Sequence, residues 1–221
     1  MSKKNRTTNW LKRHTKDPFV KQSQTDEYRS RAAYKLKSIN DKFGILKNIT
    51  SVIDLGCAPG SWLQVLKEYK NISYIYGIDV LELKPLEGVR IYKHDIRDTV
   101  LVDKIFFDKN MKLDLVLSDI APNITGISDV DQGNFSEIAS TIEDFCKSRL
   151  KSGGTMIMKY FVGSAFNQTL NRLEKNFKKI NVFKPESSKK KSNEIYLICM
   201  DFKGWYYIKM FIKLTSIEVK I

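Results

Sequence analysis

The sequence predicts an α/β fold built on a mostly parallel sheet. Short apolar runs alternate with helical patterns after residue 50, the signature of strands joined by crossover helices. The first run, Val52-Ile53-Asp54-Leu55, breaks into the glycine-rich turn Gly56-Cys57-Ala58-Pro59-Gly60, and a helical pattern (Trp62, Leu63, Val65, Leu66) follows at once. At 221 residues the chain is long enough for one domain with a sizeable core.

The elements follow in order. Tyr28 to Phe43 reads as an amphipathic helix with Ala32, Leu36, Ile39 and Phe43 facing inward. Strands are expected at 51–55, 74–79, 89–93, 113–118, 154–160, 179–184 and 194–201, with helices at 61–70, 98–108, 132–150 and 164–177. The helix ending at Leu150 carries Ile138, Ile142, Phe145 and Cys146 on one face and is expected to stop before Gly153-Gly154. The short polar link from Pro185 to Ser192 allows only a hairpin, so the sheet ends with an antiparallel strand. Residues 1–25 form a basic arm, 26–203 the folded domain and 204–221 an extension that fits no clear element of it.

Charge and cysteines narrow the partners. The net charge is +13, and residues 1–40 hold eleven Lys or Arg against Asp17, Asp26 and Glu27. A second cluster from Lys175 to Lys191 has seven lysines against Glu186 alone. Such patches attract polyanions, and two of them favour nucleic acid over a merely solvated surface. Cys57, Cys146 and Cys199 are scattered and odd in number, which argues against a disulfide framework and a zinc site and fits a reducing compartment. His14 and His94 are too isolated for a metal site, and no metal is expected. No apolar run is long enough to span a bilayer. The basic, Ser/Thr-containing N-terminus is compatible with an organelle transit segment and equally with an RNA-binding arm, so the compartment stays open.

The glycine turn has neither the G-x-G-x-x-G spacing of a dinucleotide site nor the Gly-Lys-Ser/Thr of a P-loop. Asp54 at the first strand end and Asp79 at the second instead suggest a pocket for a nucleoside such as S-adenosylmethionine. Four acids, Asp54, Asp79, Asp95 and Asp119, fall at expected strand ends, where ligands bind in an open parallel sheet. Asp79 suits a ribose diol, since a carboxylate can accept two hydrogen bonds, and Asp95 is placed to meet an adenine amino group. Taken singly, each acid is as readily a cap or turn residue.

Asp119 opens Asp119-Ile120-Ala121-Pro122-Asn123, which lacks the aromatic that stacks a base whose exocyclic nitrogen is methylated. A hydroxyl acceptor would need a group to handle its proton. Lys159 closes the strand Met156-Ile157-Met158, an unusual place for an ammonium, and Lys35 and Glu194 would complete a set of two cations and two anions. A lysine at its reference pKa of about 10.4 is protonated at neutral pH. Lys159 as general base and Lys159 as a charged steering group therefore both stay open.

Across residues 10–203 the chain resembles the RrmJ/FtsJ family of ribose 2′-O-methyltransferases. The matching segments are Ser30 to Leu36, Asp54 to Trp62, Ser118 to Asn123, Lys159, Pro185 to Ser188 and Ser192 to Tyr196. The resemblance implies a Rossmann-like S-adenosylmethionine-dependent methyltransferase fold with a seven-stranded, mostly parallel sheet and helices on both faces. It also implies a catalytic Lys35, Asp119, Lys159 and Glu194, with methyl-donor contacts at Gly60, Trp62, Asp79, Asp95 and Asp119; Asp54, Gly56 and Ser61 in and beside the glycine turn are expected at the same cofactor site. The implied reaction is 2′-O-methylation of a ribose, that of a uridine, in large-subunit ribosomal RNA by a monomer acting on a ribosomal particle, without a membrane. A tRNA ribose methyltransferase and a non-catalytic RNA-binding assembly factor are the alternatives. A nicotinamide-dependent oxidoreductase is remote without the G-x-G-x-x-G.

Overall fold

The structure, a computed structural model, describes residues 17–98, 105, 110–122, 125–189 and 192–204. Its elements run α1 (Pro18–Thr25), α2 (Ala33–Phe43), β1 (Ser51–Leu55), α3 (Ser61–Lys67), β2 (Tyr74–Asp79), β3 (Val89–Lys93), β4 (Leu113–Ser118), α4 (Ser128–Arg149), β5 (Leu150–Phe161), α5 (Phe166–Asn176), β6 (Phe177–Phe183) and β7 (Glu194–Phe202). The seven strands form one sheet in the order β3-β2-β1-β4-β5-β7-β6. β1 to β5 are mutually parallel, while β7 runs antiparallel to both β5 and β6. The strand order reverses between β1 and β4, and the connections diverging there open a crevice at the carboxyl ends of the strands.

The apolar runs of β1 and β4 are continuous because both faces of the sheet are covered. On one face Phe135, Ala139 and Ile142 of α4 and Leu173 of α5 pack over Ile53, Val116, Met156 and Leu197. On the other, Leu36 and Ile39 of α2 and Trp62 and Leu66 of α3 pack over Val52, Leu115, Ile157 and Ile198. Each such fully buried side chain contributes about 1.5–3 kcal/mol.

Several boundaries differ from the sequence expectation. The helix expected from Tyr28 begins at Ala33, because tertiary hydrogen bonds claim the residues before it: Arg29 N–H donates to Gln64 Oε1 (2.8 Å), and Ser30 Oγ meets Ser61 Oγ (2.7 Å). α3 stops three residues before the expected Lys70. α4 begins four residues earlier than expected, with Asp129 and Asp131 in its first turn, where carboxylates suit the helix dipole. The pair Gly153-Gly154 does not terminate that helix. It lies inside β5, where Leu113 pairs with Leu150 but Leu115 pairs with Thr155, and Gly153 takes a left-handed φ of 79° within this irregularity. Of the helix expected at 98–108, only residues 98 and 105 lie within the described residues, and residues 205–221 lie outside them.

The sequence reading assigned no helix to α1. Asp17 caps it by accepting from Phe19 N–H (3.0 Å), and Pro18 occupies the first helical position, where a missing N–H costs nothing. Val20 is buried, Arg31 pairs with Asp17, and Tyr34 donates to Asp26 (2.7 Å), so α1 is pinned to the start of α2.

The amino-terminal edge of the sheet has its own clasp. Asp114 of β4 accepts from the backbone and hydroxyl of Thr50 and Ser51 beside β1 (2.8–3.0 Å) and from Lys151 of β5 (2.6 Å). Burial alone would raise the carboxyl, but Lys151 and these bonds outweigh it and bring it down to about 2. A depressed carboxylate stabilises above its unfolded pKa of about 3.9 and loses that contribution as pH falls through the folded value. The Asp114→Asn variant should therefore melt below the parent at neutral pH, and the gap should close between pH 4 and 2. A gap independent of pH in thermal melts would refute the clasp.

Candidate active site

A cleft of about 790 Å³ opens at the carboxyl ends of β1, β2 and β4. Its floor is the turn after β1, whose first amides, Gly56 N–H and Cys57 N–H, donate to Ile78 O of β2 (2.8 and 3.2 Å). Gly56 has a φ of 74°, and a Cβ there would run into the side chain of Ile120 across the cleft. A glycine is thus required twice, for the backbone angle and for the space. Asp79 at the end of β2 also lines the cleft. Its carboxylate orders both neighbouring turns by accepting from Ala58 N–H and Leu81 N–H (both 2.8 Å). Each oxygen keeps a lone pair for a ligand.

Asp95 lines the same cleft but is partly committed, since Arg97 Nε and Nη2 grip both its oxygens (2.5–3.1 Å). Those bonds hold its carboxyl below the usual carboxylate range. Asp54 lies beneath the floor, 2 % exposed, and its Oδ1 has no partner among the described residues. Burial, then the charges of Asp119 and Asp79, push its carboxyl well up against the opposing pull of Lys159.

Gly60, Ser61 and Trp62 stand apart from the cleft lining. Gly60 caps α3 at φ 105° against Arg29, which donates onward to Pro59 O (3.0 Å), Lys84 O (2.8 Å) and Pro85 O (3.2 Å). Ser61 meets Ser30, and the buried Trp62 indole donates to Ala32 O (2.8 Å). These three hold the turn and α3 against the start of α2.

Beside the cleft the expected lysine–carboxylate set converges. Lys35 comes from α2, Asp119 from the end of β4, Lys159 from β5 and Glu194 from the start of β7. Because β7 is antiparallel, its first residue meets the carboxyl end of β5: Glu194 pairs with Phe161 and Tyr196 with Lys159. Lys159 Nζ lies 3.0 Å from Asp119 Oδ1 and also donates to the Asp119 carbonyl. Lys35 Nζ lies 2.8 Å from Glu194 Oε1 and 3.9 Å from Asp119 Oδ1. Both lysine side chains are 8 % exposed, so each ammonium depends on its acceptors rather than on water. Asp119 belongs to both places, lining the cleft and anchoring the lysines.

Tyr196 received no role from the sequence, yet its hydroxyl donates to Asp119 Oδ1 (2.5 Å). Burial, then the charges of Asp119 and Glu194, hold the phenol protonated and keep it a donor. Its ring packs on Trp62 (5.9 Å between centroids) and lies under Lys35 Nζ (5.6 Å). The period-2 rule places residues 194 and 196 on one face and would have found it. Asn134, Glu137 and Thr141 of α4 also line the cleft, at the helical spacing that marks one face. Asn123 and Lys190 to Lys191 lie outside the described residues.

A Gly56→Ala change should cost about 1–3 kcal/mol from the left-handed backbone alone. It should lower the melting temperature by several degrees and displace Ile120. An unchanged melt would mean that the turn relaxes freely.

A family model for the FtsJ-like methyltransferases matches residues 28–202. The ribosomal RNA large subunit methyltransferase E of Sphingopyxis alaskensis is 39 % identical over 198 residues, covering 90 % of this chain and 86 % of that protein. The protein of the same name from Pelagibacter ubique is 41 % identical, with 89 % and 98 % covered. A crystal structure from Plasmodium falciparum, described as a ribosomal RNA methyltransferase, superposes with a TM-score of 0.70 at 34 % identity, covering 80 % of this chain and all of that one. Match, identity and fold agree: the chain belongs to the FtsJ-like methyltransferase family.

Proposed function

We propose that this methyltransferase transfers a methyl group from S-adenosylmethionine to a ribose 2′-hydroxyl of large-subunit ribosomal RNA. One observation carries the reading. A partly buried set of two lysines and two carboxylates adjoins, through Asp119, a cleft floored by a glycine turn. The relatives named for large-subunit ribosomal RNA methylation support the choice of RNA.

The cleft suits the donor. Gly56 lets Ile120 pack onto the cleft floor, Asp79 offers free lone pairs beside two ordered amides, and the unpartnered Asp54 oxygen lies below. When bound, S-adenosylmethionine supplies an electrophilic methyl group on a sulfonium. Asp79 would hold the ribose diol, and Asp95, aimed by Arg97, the adenine edge. Gly60, Ser61 and Trp62 act on the donor by fixing the shape of the turn.

On the acceptor side, Lys159 Nζ gives two of its tetrahedral positions to the Asp119 carboxylate and carbonyl. One position remains for the 2′-oxygen. In this reading Lys159 takes the hydroxyl proton there, Asp119 stabilises the resulting ammonium, and Lys35 and Glu194 hold the ribose in line. Well-oriented reactants gain roughly 7–11 kcal/mol, so the alignment supplies much of the acceleration. Loss of a general base typically costs 10²–10⁴ in rate, and Lys159→Ala should fall in that range. A loss of no more than about tenfold would reduce Lys159 to a steering group.

The assay is methyl transfer from labelled S-adenosylmethionine to large-subunit particles, followed by alkaline hydrolysis. Label retained in alkali-resistant dinucleotides identifies 2′-O-methylation, since a ribose without its free hydroxyl resists cleavage. Label in alkali-labile nucleotides would mean base methylation and defeat the proposal. RNA contacts are assigned to the exposed Lys189 and the lysines around it, together with the basic residues of the N-terminal arm. Phosphate contacts release counterions, so affinity should fall steeply between 50 and 200 mM salt, by about 10³ or more for six contacts. A shallow slope in a titration would remove these lysines from the interface.

A further inference from the structure

The link between β6 and β7 is lysine-rich and faces water at Lys184, Glu186 and Lys189, yet Pro185, Ser187 and Ser188 within it are buried. Burial of two adjacent serines in such a link calls for a reason, because an unpaired hydroxyl is costly to bury. Pro185 to Ser188 close a tight turn in which Ser188 N–H donates to Pro185 O (2.9 Å). That turn aims the Ser188 hydroxyl at Glu194 Oε1, 2.7 Å away. Ser192 braces the same residue from the other side, its Oγ accepting from Glu194 N–H (3.1 Å).

We propose that Ser188 is a positioning residue for methyl transfer: its hydroxyl fixes Glu194, and through Glu194 the ammonium of Lys35, in the geometry the acceptor ribose meets. The inference rests on the function proposed above. Ser188 Oγ and Lys35 Nζ both bond Oε1, at 2.7 and 2.8 Å. Oε1 is thereby filled, and Oε2 is the oxygen left for a further donor such as a substrate hydroxyl. Without Ser188 the carboxylate would turn about its terminal torsion, which is broad and roughly two-fold, and Lys35 would follow it. Neither Ser188 nor Glu194 lines the adjoining cleft, so this contact leaves the donor's own contacts in place. Ser187 provides an internal comparison: it is 2 % exposed, and its Oγ has no partner among the described residues.

The experiment compares Ser188→Ala and Ser187→Ala with the parent enzyme on large-subunit particles, measuring kcat, KM for S-adenosylmethionine and Tm. Hydrogen bonds to charged groups set the scale, and Ser188→Ala should lower kcat by about ten- to a hundredfold. KM for the donor should stay at the parental value, Tm should fall by no more than a few degrees so that the variant is fully folded at the assay temperature, and Ser187→Ala should keep the parental kcat. Parental kcat in Ser188→Ala, alongside an inactive Lys159→Ala, would overturn the positioning role and leave the proposed function standing. Equal losses in both serine variants, or a kcat loss that tracks the fraction unfolded at the assay temperature, would make the turn merely structural. Absence of alkali-resistant label with the parent enzyme would remove the proposed function, and this role with it.

Discussion

The contact between Lys159 and Asp119 is the constraint on which the rest of the site depends. Asp119 follows the last residue of β4 at the reversal of strand order, and its carboxylate and carbonyl both hold the same ammonium. The Tyr196 hydroxyl approaches the same Oδ1, and Lys35 lies at the edge of reach. Removing this one carboxylate would leave two nearly buried cations to a single glutamate, and an uncompensated buried charge is far costlier than a lost contact. Two positive and two negative groups close the ledger locally, which is how four ionisable side chains persist at a sheet edge.

The cleft depends on a different economy, one of absent side chains. Its floor exists because Gly56 has nothing to place against Ile120, and the far end of the turn is held, outside the cleft, where Arg29 passes Gly60 to three backbone carbonyls. The charged cluster and the glycine turn are built from different strands and meet at Asp119, which lines the cleft and anchors the lysines. A change in one should reach the other mainly through that residue.

Much of this was legible in the chain. Continuous apolar runs gave seven strands, and the short polar link gave the antiparallel β7, because periodicity and link length are local properties. The acids at strand ends followed from the rule that such folds bind ligands there. The misplaced features have tertiary causes. The start of α2 is decided by Gln64 and Ser61, more than thirty residues away. The two glycines after α4 serve a bulge defined by β4. Asp95 looked free until Arg97 was seen to hold it, and Trp62, expected at the donor, turns its indole to Ala32. Tyr196 was within reach of the period-2 rule, two residues from Glu194 on β7, whereas the importance of Ser188 lies in whom it faces, which spacing along a turn does not encode.

The interior place of β7 carries a consequence for assembly. Among the described residues the last strand in chain order, β7, is not an edge: it lies between β5 and β6, and β6 pairs with the sheet through it. β6 therefore has no strand to pair with until β7 exists, and the two join the sheet as a hairpin across their short link. Until then β5 presents an open flank with Met156, Ile157 and Met158, the kind of unpaired apolar edge that recruits other chains. The same docking event carries in Glu194 and Tyr196. A partly made chain can thus form its ligand cleft while lacking the carboxylate that completes the charged cluster, so reactivity arrives last, together with protection of the edge.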